Sequence, residues 1–555
     1  MTNEMRATRN PSLLDASCEA YVRDLVAISP TLATQLGMPE YDGELQDFSP
    51  EYWETLAERN REMLNDVDAF DDGTDSCDDE DDFDSVDFLT AEILRDRLSL
   101  ELELHHHDET IGLINNITSP VQEIREILQL QPKETAEQRE VLAARLAKIP
   151  AALQGYAESL CMAASKNHPI PVRQVERASE HARALAQPDS LLTTLGLDKE
   201  DAVVRGARKA FGQLAEWLSD SFAAHAIQED GVGRERYERF SHQYVGDKVD
   251  LDEAYEWGWE QLREIESEQA AIAKQLYGEG TSIARAQELL DGEARYRLAD
   301  KDELRLWMQE RMDAAIKDLQ GTHFDIAEPA RTIEACIDPA GTGGIFYTPP
   351  AEDFSRPGRA WWSVPASQSN FTTWSELSTV YHESVPGHHL QICAAMAESE
   401  LLNTWRRSMC WISGHGEGWA LYAEQLMAEL GYFEDAGYRM GQLDAQRLRA
   451  ARVIVDIGVH LHKCVPDGTV KWDANFARSF MEQHSGLTPE ALDFEVDRYL
   501  GWPGQAPSYA LGQKLWQQMR DDALAEGLTV REFHAKALSF GSMPMSILRS
   551  QVLDS

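Results

Sequence analysis

The sequence predicts a mainly α-helical protein that carries one small β-sheet in its second half. Most stretches before residue 330 repeat their apolar residues at helical spacing, and none shows a convincing alternation of apolar and polar residues. Short extended runs separated by Pro and Gly appear only after residue 330. These observations favour a large helical fold whose first half is a helical bundle or shell.

The length and the net charge of the chain indicate its domain organisation and its partners. The chain has 555 residues, of which 43% are hydrophobic and 26% charged, as in ordinary globular proteins. We expect an N-terminal helical half, 1–330, and a second half, 331–555, which together form one continuous fold. The net charge of −45 argues against a nucleic acid partner, because phosphate binding requires clustered Lys and Arg. A solvated acidic surface explains this charge most simply, and attraction of cationic substrates is the alternative.

The composition also predicts where the protein is found. The first residues, 1–6, lack the apolar core of a signal peptide, and no run approaches the length of a membrane span. The seven cysteines are scattered without paired metal spacing, which is typical of a reducing cytoplasm. We therefore expect a cytoplasmic protein with no membrane partner. The sequence leaves open whether it is a monomer or a homodimer.

Separate runs of apolar residues predict the individual helices. The strongest run, 88–109, ends in three adjacent histidines, which cannot all face one metal and indicate a polar helix end. An acidic stretch near 66–87 predicts a solvated loop, because it lacks the Gly and Glu placement of a calcium site. Further helices are expected within 12–70, 136–158, 201–224, 250–277 and 284–316. The runs 333–337, 344–347 and 359–364 predict the strands of a small antiparallel sheet.

A histidine-rich stretch, 381–391, carries the most information about function. Metallopeptidases typically carry His-Glu-x-x-His on one helix, where residues four apart share a face and both imidazoles reach one metal. Here Pro386 lies four residues after His382 and cannot be a ligand, and the next histidines are His388 and His389. A regular helix would turn His388 about 120° away from His382 and place His389 about 10 Å further along the axis.

Pro386 and Gly387 resolve this difficulty because both disturb a helix. Pro386 has no N–H for the carbonyl of His382, and Gly387 adopts dihedral angles that other residues avoid. The helix can therefore bulge or break here and bring His388 beneath His382. We expect His388 to be the second ligand, with His389 as the alternative.

A second stretch, 414–424, reads Gly-His-Gly-Glu-Gly-Trp-Ala-Leu-Tyr-Ala-Glu. Together the two stretches resemble the bacterial family called domain of unknown function 885, and three later segments also fit its pattern, namely 450–460, 498–512 and 541–545. The resemblance is specific over roughly residues 340–550. This family is grouped with the gluzincin-type zinc metallopeptidases, which use two His and one Glu as ligands.

The resemblance implies a helical zinc-peptidase fold with a deep cleft and one zinc ion per chain. His382, His388 and Glu417 would be the ligands, which leaves one position of a catalytic zinc for water. Glu383 would act as general base on the zinc-activated water. The substrates would be short peptides, cleaved at an amide bond.

Supporting roles follow from the same resemblance. Related helical zinc peptidases place a Tyr or His opposite the metal from late in the chain, which implies Tyr509 or His460 as donor to the tetrahedral intermediate. Glu424 and Asp456 are candidates for holding the second ring nitrogen of a ligand histidine. The strand 358–364 would be the exposed edge that pairs with an extended substrate, or else part of a purely structural hairpin.

Arg452 and Arg498 are the predicted substrate-binding residues, and Arg449 is a further candidate. A guanidinium can bind a substrate carboxylate or brace the acidic groups around the metal. Two other functions stay open. One is a zinc hydrolase of a non-peptide or isopeptide amide, and the other is a metal-free helical binding protein. The intact set of ligands and base argues against the last.

Overall fold

The computed structural model describes residues 9–71, 83–338, 344–351, 353–364, 368, 370–466, 468 and 470–553. Contacts divide the chain into two compact units. The first consists of Met1–Arg239, Asn403–Ser408 and Asp493–Trp502, and the second of Phe240–Leu402, Met409–Leu492 and Pro503–Ser555. The predicted division at residue 330 therefore falls inside the second unit.

Helices form the described part of the first unit. They are α1 (Leu13–Ile28), α2 (Pro30–Gln35), α3 (Pro50–Asp71), α4 (Ser85–His106), α5 (Pro120–Leu130), α6 (Ala136–Leu146), α7 (Ile149–Ser165), α8 (Val172–Ala186) and α9 (Ala202–Asp220). Their apolar faces pack into a core that includes Leu146, Leu160 and Phe211. The predicted acidic loop at 66–87 overlaps the end of α3 and the start of α4, and its residues 72–82 lie outside the described ranges.

The second unit is also mainly helical, and α10 (Arg234–Val245) enters it from the first. Its helices before the histidine-rich stretch are α11 (Leu251–Tyr277), α12 (Ile283–Gly292) and α13 (Lys301–Leu319). The later ones are α14 (Leu377–Glu383), α15 (His388–Ala397), α16 (Ser413–Glu429), α17 (Ala436–His460), α18 (Ala474–His484), α20 (Ser508–Ala525), α21 (Val530–Ser539) and α22 (Met545–Leu553). Helix α19 (Pro489–Gly501) begins in the second unit, and its residues from Asp493 onward belong to the first. The predicted mainly helical fold is thus confirmed. No helix within the described ranges is both long enough and apolar enough to cross a membrane.

Among the residues of the second unit that the structure describes, five short strands form two small sheets. Strands β1 (Arg297–Leu298) and β5 (Phe371–Thr372) pair antiparallel. The other sheet has the order β2 (Ile333–Asp338), β4 (Gly358–Ser363) and β3 (Ile345–Thr348). In it β3 runs antiparallel to β4, whereas β2 runs parallel to β4. The predicted small sheet is therefore present before the histidine-rich stretch.

The prediction that 358–364 forms the exposed edge of this sheet is wrong. Strand β4 is central and is hydrogen-bonded to β2 on one side and β3 on the other. Its residues alternate between buried and half-buried, which is the pattern of any strand with one face in a core. Edge position depends on pairing with distant segments, which this pattern does not encode. Strand β3 is an edge strand of the sheet among the described residues.

The two helices α16 and α20 cross at close range through glycines. A Cβ added to Gly418 would lie 2.7 Å from the Cα of Gly512, and one added to Gly512 would overlap the carbonyl oxygen of Gly414. Only glycine therefore permits this approach of the two backbones. The crossing joins the helix that carries Glu417 to the helix that carries Tyr509.

Candidate metal centre

The helix that carries His382 ends at Glu383, and a new helix begins at His388. Between them, Pro386 supplies no N–H to continue the first helix. A Cβ added to Gly387 would overlap the carbonyl oxygen of His382, so that glycine is required for the chain to turn back. The helix break that the Pro-Gly pair predicts is therefore present.

The break brings His388 close to His382, and α16 adds Glu417. One ligand atom from each of the three lies within 4.8 Å of the others. The Oε2 atom of Glu417 is 3.3 Å from Nε2 of His382 and 3.5 Å from Nε2 of His388. Ligand atoms about 2.0–2.2 Å from a tetrahedral metal ion are separated by about 3.4 Å. These three residues could therefore hold a metal ion.

The three side chains are largely buried and incompletely hydrogen-bonded. Within the described residues, Oε2 of Glu417 and Nδ1 of His388 have no hydrogen-bond partner of acceptable geometry. Burial acts to raise the pKa of Glu417, but the imidazoles of His382 and His388 hold this pKa well below its ordinary value. An ionised, buried carboxylate oxygen without a donor is costly, and a bound cation would compensate for it.

Glu424 holds the second ring nitrogen of His382. Its Oε1 atom lies 2.8 Å from Nδ1 of His382, and its other oxygen accepts a hydrogen bond from the hydroxyl of Ser378. Burial acts to raise the pKa of Glu424. The guanidinium of Arg449, 3.7 Å away, and the imidazole of His382 outweigh this effect and hold the pKa below its ordinary value. Because an ionised carboxylate only accepts, Nδ1 of His382 carries the proton and Nε2 presents its lone pair to the metal site.

His389, the alternative ligand, uses both of its ring nitrogens elsewhere. Its Nε2 atom lies 2.8 Å from the carbonyl oxygen of Ala330, and its Nδ1 atom lies 2.8 Å from the hydroxyl of Tyr347. A carbonyl only accepts, so Nε2 of His389 is the donor and Nδ1 accepts the hydroxyl proton of Tyr347. Burial lowers the pKa of His389 to about 4, which keeps this ring neutral. The structure thus groups His388, and not His389, with His382 and Glu417.

A cavity of about 510 Å³ opens at these residues within the second unit. Glu383, Arg449, Arg452 and Tyr509 line it together with the candidate ligands. Strand β3 contributes Ile345, Phe346 and Tyr347, and Trp411 also lines the cavity, with its ring centre 6.1 Å from that of His388. The cavity therefore combines a candidate metal site with a carboxylate, two guanidinium groups and an apolar wall.

Comparison with known proteins places the chain in a family. A family model described as "Bacterial protein of unknown function (DUF885)" matches residues 30–552. The chain belongs to this family. The predicted family membership is therefore confirmed, and the description of DUF885 assigns no activity. A search of curated proteins finds no match to the chain.

Two solved structures share the DUF885 fold of this chain. A candidate lipoprotein from Colwellia psychrerythraea aligns with a TM-score of 0.78 and 22% identity, over 98% of each chain. A candidate lipoprotein of unknown function from Shewanella oneidensis aligns with a TM-score of 0.73 and 15% identity, over 97% of this chain and 99% of that one. At these identities the similarity shows the fold alone. A carboxypeptidase from Pyrococcus furiosus aligns with a TM-score of 0.34, which does not establish a common fold.

Three other predicted residues of this DUF885 protein lie outside the group that lines the cavity. Asp456 accepts a hydrogen bond from the backbone N–H of Gly504 at 2.9 Å and so anchors the loop before α20. His460 is fully buried at the end of α17 and is not among the described lining residues. Arg498 belongs to the first unit, where it pairs with Glu495 at 3.0 Å.

Sequence reasoning missed the β3 residues and Trp411 as part of this DUF885 site. Tyr347 lies in a run that indicates only a short strand, and its contact with His389 joins positions 42 residues apart. Trp411 precedes α16 and is 50% exposed, which is unusual for a large aromatic side chain. The sequence predicted that 358–364, which contains β4, lies beside the substrate, whereas β3 lines the cavity.

Proposed function

We propose that this protein is a zinc-dependent peptidase that hydrolyses amide bonds of short peptides. The separation of the ligand atoms carries this proposal, because Nε2 of His382 and Nε2 of His388 lie 3.3 and 3.5 Å from Oε2 of Glu417. Two imidazoles and one carboxylate are typical of catalytic zinc sites that keep a fourth position open. When bound, zinc would supply a Lewis acid and an activated water. Membership of the gluzincin-type peptidases is part of the same proposal.

Glu383 would accept and return the proton in this reaction. It directly follows His382 in the chain and lines the same cavity. Burial raises the pKa of Glu383 above its ordinary value, while His382 and His388 oppose that rise. A base with a raised pKa binds the proton of the attacking water more readily and can pass it to the leaving amine.

The contacts of the two cavity tyrosines support different roles for them. The hydroxyl proton of Tyr347 is donated to Nδ1 of His389, so Tyr347 would meet a substrate only as an acceptor. Tyr509 lies in the first turn of α20, and the guanidinium of Arg452 lies 5.4 Å from the centre of its ring. Tyr509 is therefore the better candidate for donating to the tetrahedral intermediate. His460, fully buried, is the weaker one.

Cavity size and an edge strand favour short, extended substrates. A volume of about 510 Å³ lies within the range of pockets that enclose small ligands, about 300–1,000 Å³. Strand β3, which lines the cavity, pairs with β4 on one side. The backbone of an extended peptide could pair along its other side. The substrate-pairing role that the sequence predicted for 358–364 is thus proposed for Ile345–Thr348.

Hydrolysis of a defined peptide library by the zinc-loaded protein tests this proposal. The wild-type protein should cleave short peptides, and mass spectrometry of the products identifies the cleaved bond. Glu383→Gln should keep its zinc and lose about 10²–10⁴-fold in kcat. Equal activity of the Glu383→Gln variant would refute the assignment of the base. Cleavage of isopeptide or non-peptide amides, with no peptide cleaved, would favour the other hydrolase function.

The cellular location of the protein stays a prediction. The sequence predicts the cytoplasm, whereas the two structural neighbours are described as candidate lipoproteins. Fractionation of cells that express the full-length protein, followed by immunodetection, distinguishes the two locations.

A further inference from the structure

The metal cavity presents large apolar side chains to solvent. Ile345, Phe346 and Trp411 all line it, and they are 38%, 44% and 50% exposed. Single exposed apolar side chains are ordinary on a protein surface, but here three of them share one cavity. Apolar surface gathered beside a candidate metal site indicates where part of a ligand would be removed from water.

Trp411 is held in position beside the candidate ligands. Its ring centre lies 6.1 Å from that of His388. A Cβ added to Gly416 would overlap the six-membered ring of Trp411, so this ring lies directly against the backbone of α16. Gly416 immediately precedes Glu417. The indole therefore contacts the segments that carry two of the three candidate ligands.

This packing explains the glycine at position 416. Gly416 lies within α16 and does not have the positive φ that would itself require glycine. Glycine destabilises a helix relative to alanine, so its presence here calls for a close neighbour. The three atoms nearest to an added Cβ all belong to the Trp411 ring. The helix thus accommodates a half-exposed tryptophan at some loss of its own stability.

The ring of Phe346 is also fixed. Its centre lies 6.1 Å from that of Trp361, and the two ring planes differ by 15°. The indole N–H of Trp361 in turn donates to the hydroxyl of Thr348 at 3.0 Å. Aromatic side chains that are already held in place lose little conformational freedom when a ligand binds. Both rings are therefore suited to recognition.

We propose that Trp411 and Phe346 form a subsite that binds a large apolar or aromatic side chain of the substrate beside the metal centre. The inference rests on the proposed peptidase function and narrows its substrate class. The occupant is the substrate because Trp411 contacts the candidate ligand His388, so a group on this ring lies in the same cavity as the metal site. An apolar side chain would remove its own surface and that of the rings from water.

Binding of three blocked pentapeptides to the zinc-loaded, full-length Glu383→Gln protein tests the proposal. The probes are acetyl-Ala-Ala-X-Ala-Ala amides in which X is Phe, Ala or Lys. The alanines allow the peptide to shift until X reaches the subsite. Calorimetry should show the Phe peptide binding about 10- to 100-fold more tightly than the Ala peptide. The Lys peptide is included because the face of a tryptophan ring also attracts cations.

Substitutions of the two rings assign this preference. Trp411→Ala should reduce the ratio of the Phe and Ala affinities to within about threefold, whereas Trp411→Phe should keep most of it. Phe346→Ala should also lower the ratio, and β3 carries none of the candidate metal ligands. Phe88→Ala is the matched control, because Phe88 is 59% exposed and is not among the described lining residues. Zinc content is measured for every variant, and Phe346→Ala decides if Trp411→Ala loses its zinc.

Each outcome decides the question. Equal binding of the Phe and Ala peptides would overturn the proposal, even if the wild-type protein hydrolyses both. A preference that survives both Trp411→Ala and Phe346→Ala would also overturn it. Tighter binding of the Lys peptide than of the Phe peptide would replace the apolar subsite with one for a cation. Selective binding of the Phe peptide without hydrolysis of any peptide by the wild-type protein would refute the peptidase function and leave the apolar subsite standing.

Discussion

The Nδ1 atom of His382 lies 2.8 Å from the Oε1 atom of Glu424, which is 1% exposed. This contact fixes the tautomer and the orientation of the His382 imidazole, one of the candidate metal ligands. The two residues lie 42 positions apart, on α14 and α16, so the contact also ties the two halves of the site together. Glu424 is thus a positioning residue that acts on the metal through His382.

Replacing this carboxylate should weaken metal binding without removing a ligand. Glu424→Gln should lower the affinity for zinc about 10- to 100-fold, because the amide binds the protonated Nδ1 of His382 less strongly. Competition with a chromophoric chelator measures this affinity. Glu429→Gln on the same helix, which removes a contact to Arg520 at 2.9 Å, should leave it unchanged. Identical affinities in both variants would contradict the role of Glu424.

A side chain at Gly387 should destroy the site by preventing the helix break. In Gly387→Ala the new Cβ overlaps the carbonyl oxygen of His382, so the chain between α14 and α15 must move. We expect a loss of about 3 kcal/mol or more in the free energy of unfolding, and loss of zinc. Chemical denaturation and metal analysis measure the two effects. Gly292→Ala, whose Cβ meets nothing within 4 Å, is the control. Normal zinc content in Gly387→Ala would contradict this account of the break.

Tyr509 and Tyr347 should respond differently to loss of the hydroxyl group. Tyr509→Phe should lower kcat about 10²–10³-fold with little change in zinc content, because a donor to the tetrahedral intermediate is lost. Tyr347→Phe removes the hydrogen bond to His389 and should affect stability more than kcat. Steady-state kinetics and thermal unfolding of both variants test the difference. The reverse pattern would assign the donor role to Tyr347.

His534 should make the protein less stable in acid. It is fully buried, its Nε2 atom is 2.7 Å from the hydroxyl of Tyr422, and burial lowers its pKa from 6.5 to about 3. Below pH 6.5 the unfolded chain binds a proton that the folded protein excludes. The stability that this neutral histidine contributes is therefore complete above pH 6.5 and is lost as pH falls towards 3.

The expected contribution of His534 is up to about 1.4 kcal/mol per pH unit over that interval. Urea denaturation at several pH values between 4 and 7.5 measures this slope. His534→Gln should make the slope shallower, while His106→Gln, which removes an exposed imidazole, should not. An unchanged slope in His534→Gln would show that other groups control the acid sensitivity.

The sequence was informative where neighbouring residues decide the structure. The Pro386-Gly387 pair predicts a break because both effects are local, namely a missing N–H and a glycine backbone. The helices were predictable in the same way, since apolar spacing is a property of each segment. The run 250–277, for example, corresponds to α11 (Leu251–Tyr277).

Contacts between distant segments set the features that the sequence did not determine. The choice between His388 and His389 depends on Ala330 and Tyr347, which occupy both nitrogens of His389. The central position of β4 depends on its pairing with β2 and β3. Asp456 resembled a partner for a ligand histidine, but it instead accepts from the N–H of Gly504.

Metal content of the purified full-length protein after incubation with zinc tests the central claim most directly. Mass spectrometry of the metal should give about one zinc per chain for the wild-type protein and for His389→Gln. His388→Ala and Glu417→Ala should each lose this zinc while remaining folded by circular dichroism. A folded wild-type protein that binds no zinc would contradict the account and leave the metal-free binding protein as the better hypothesis. Zinc retained in His388→Ala but lost in His389→Gln would show that the other histidine is the ligand.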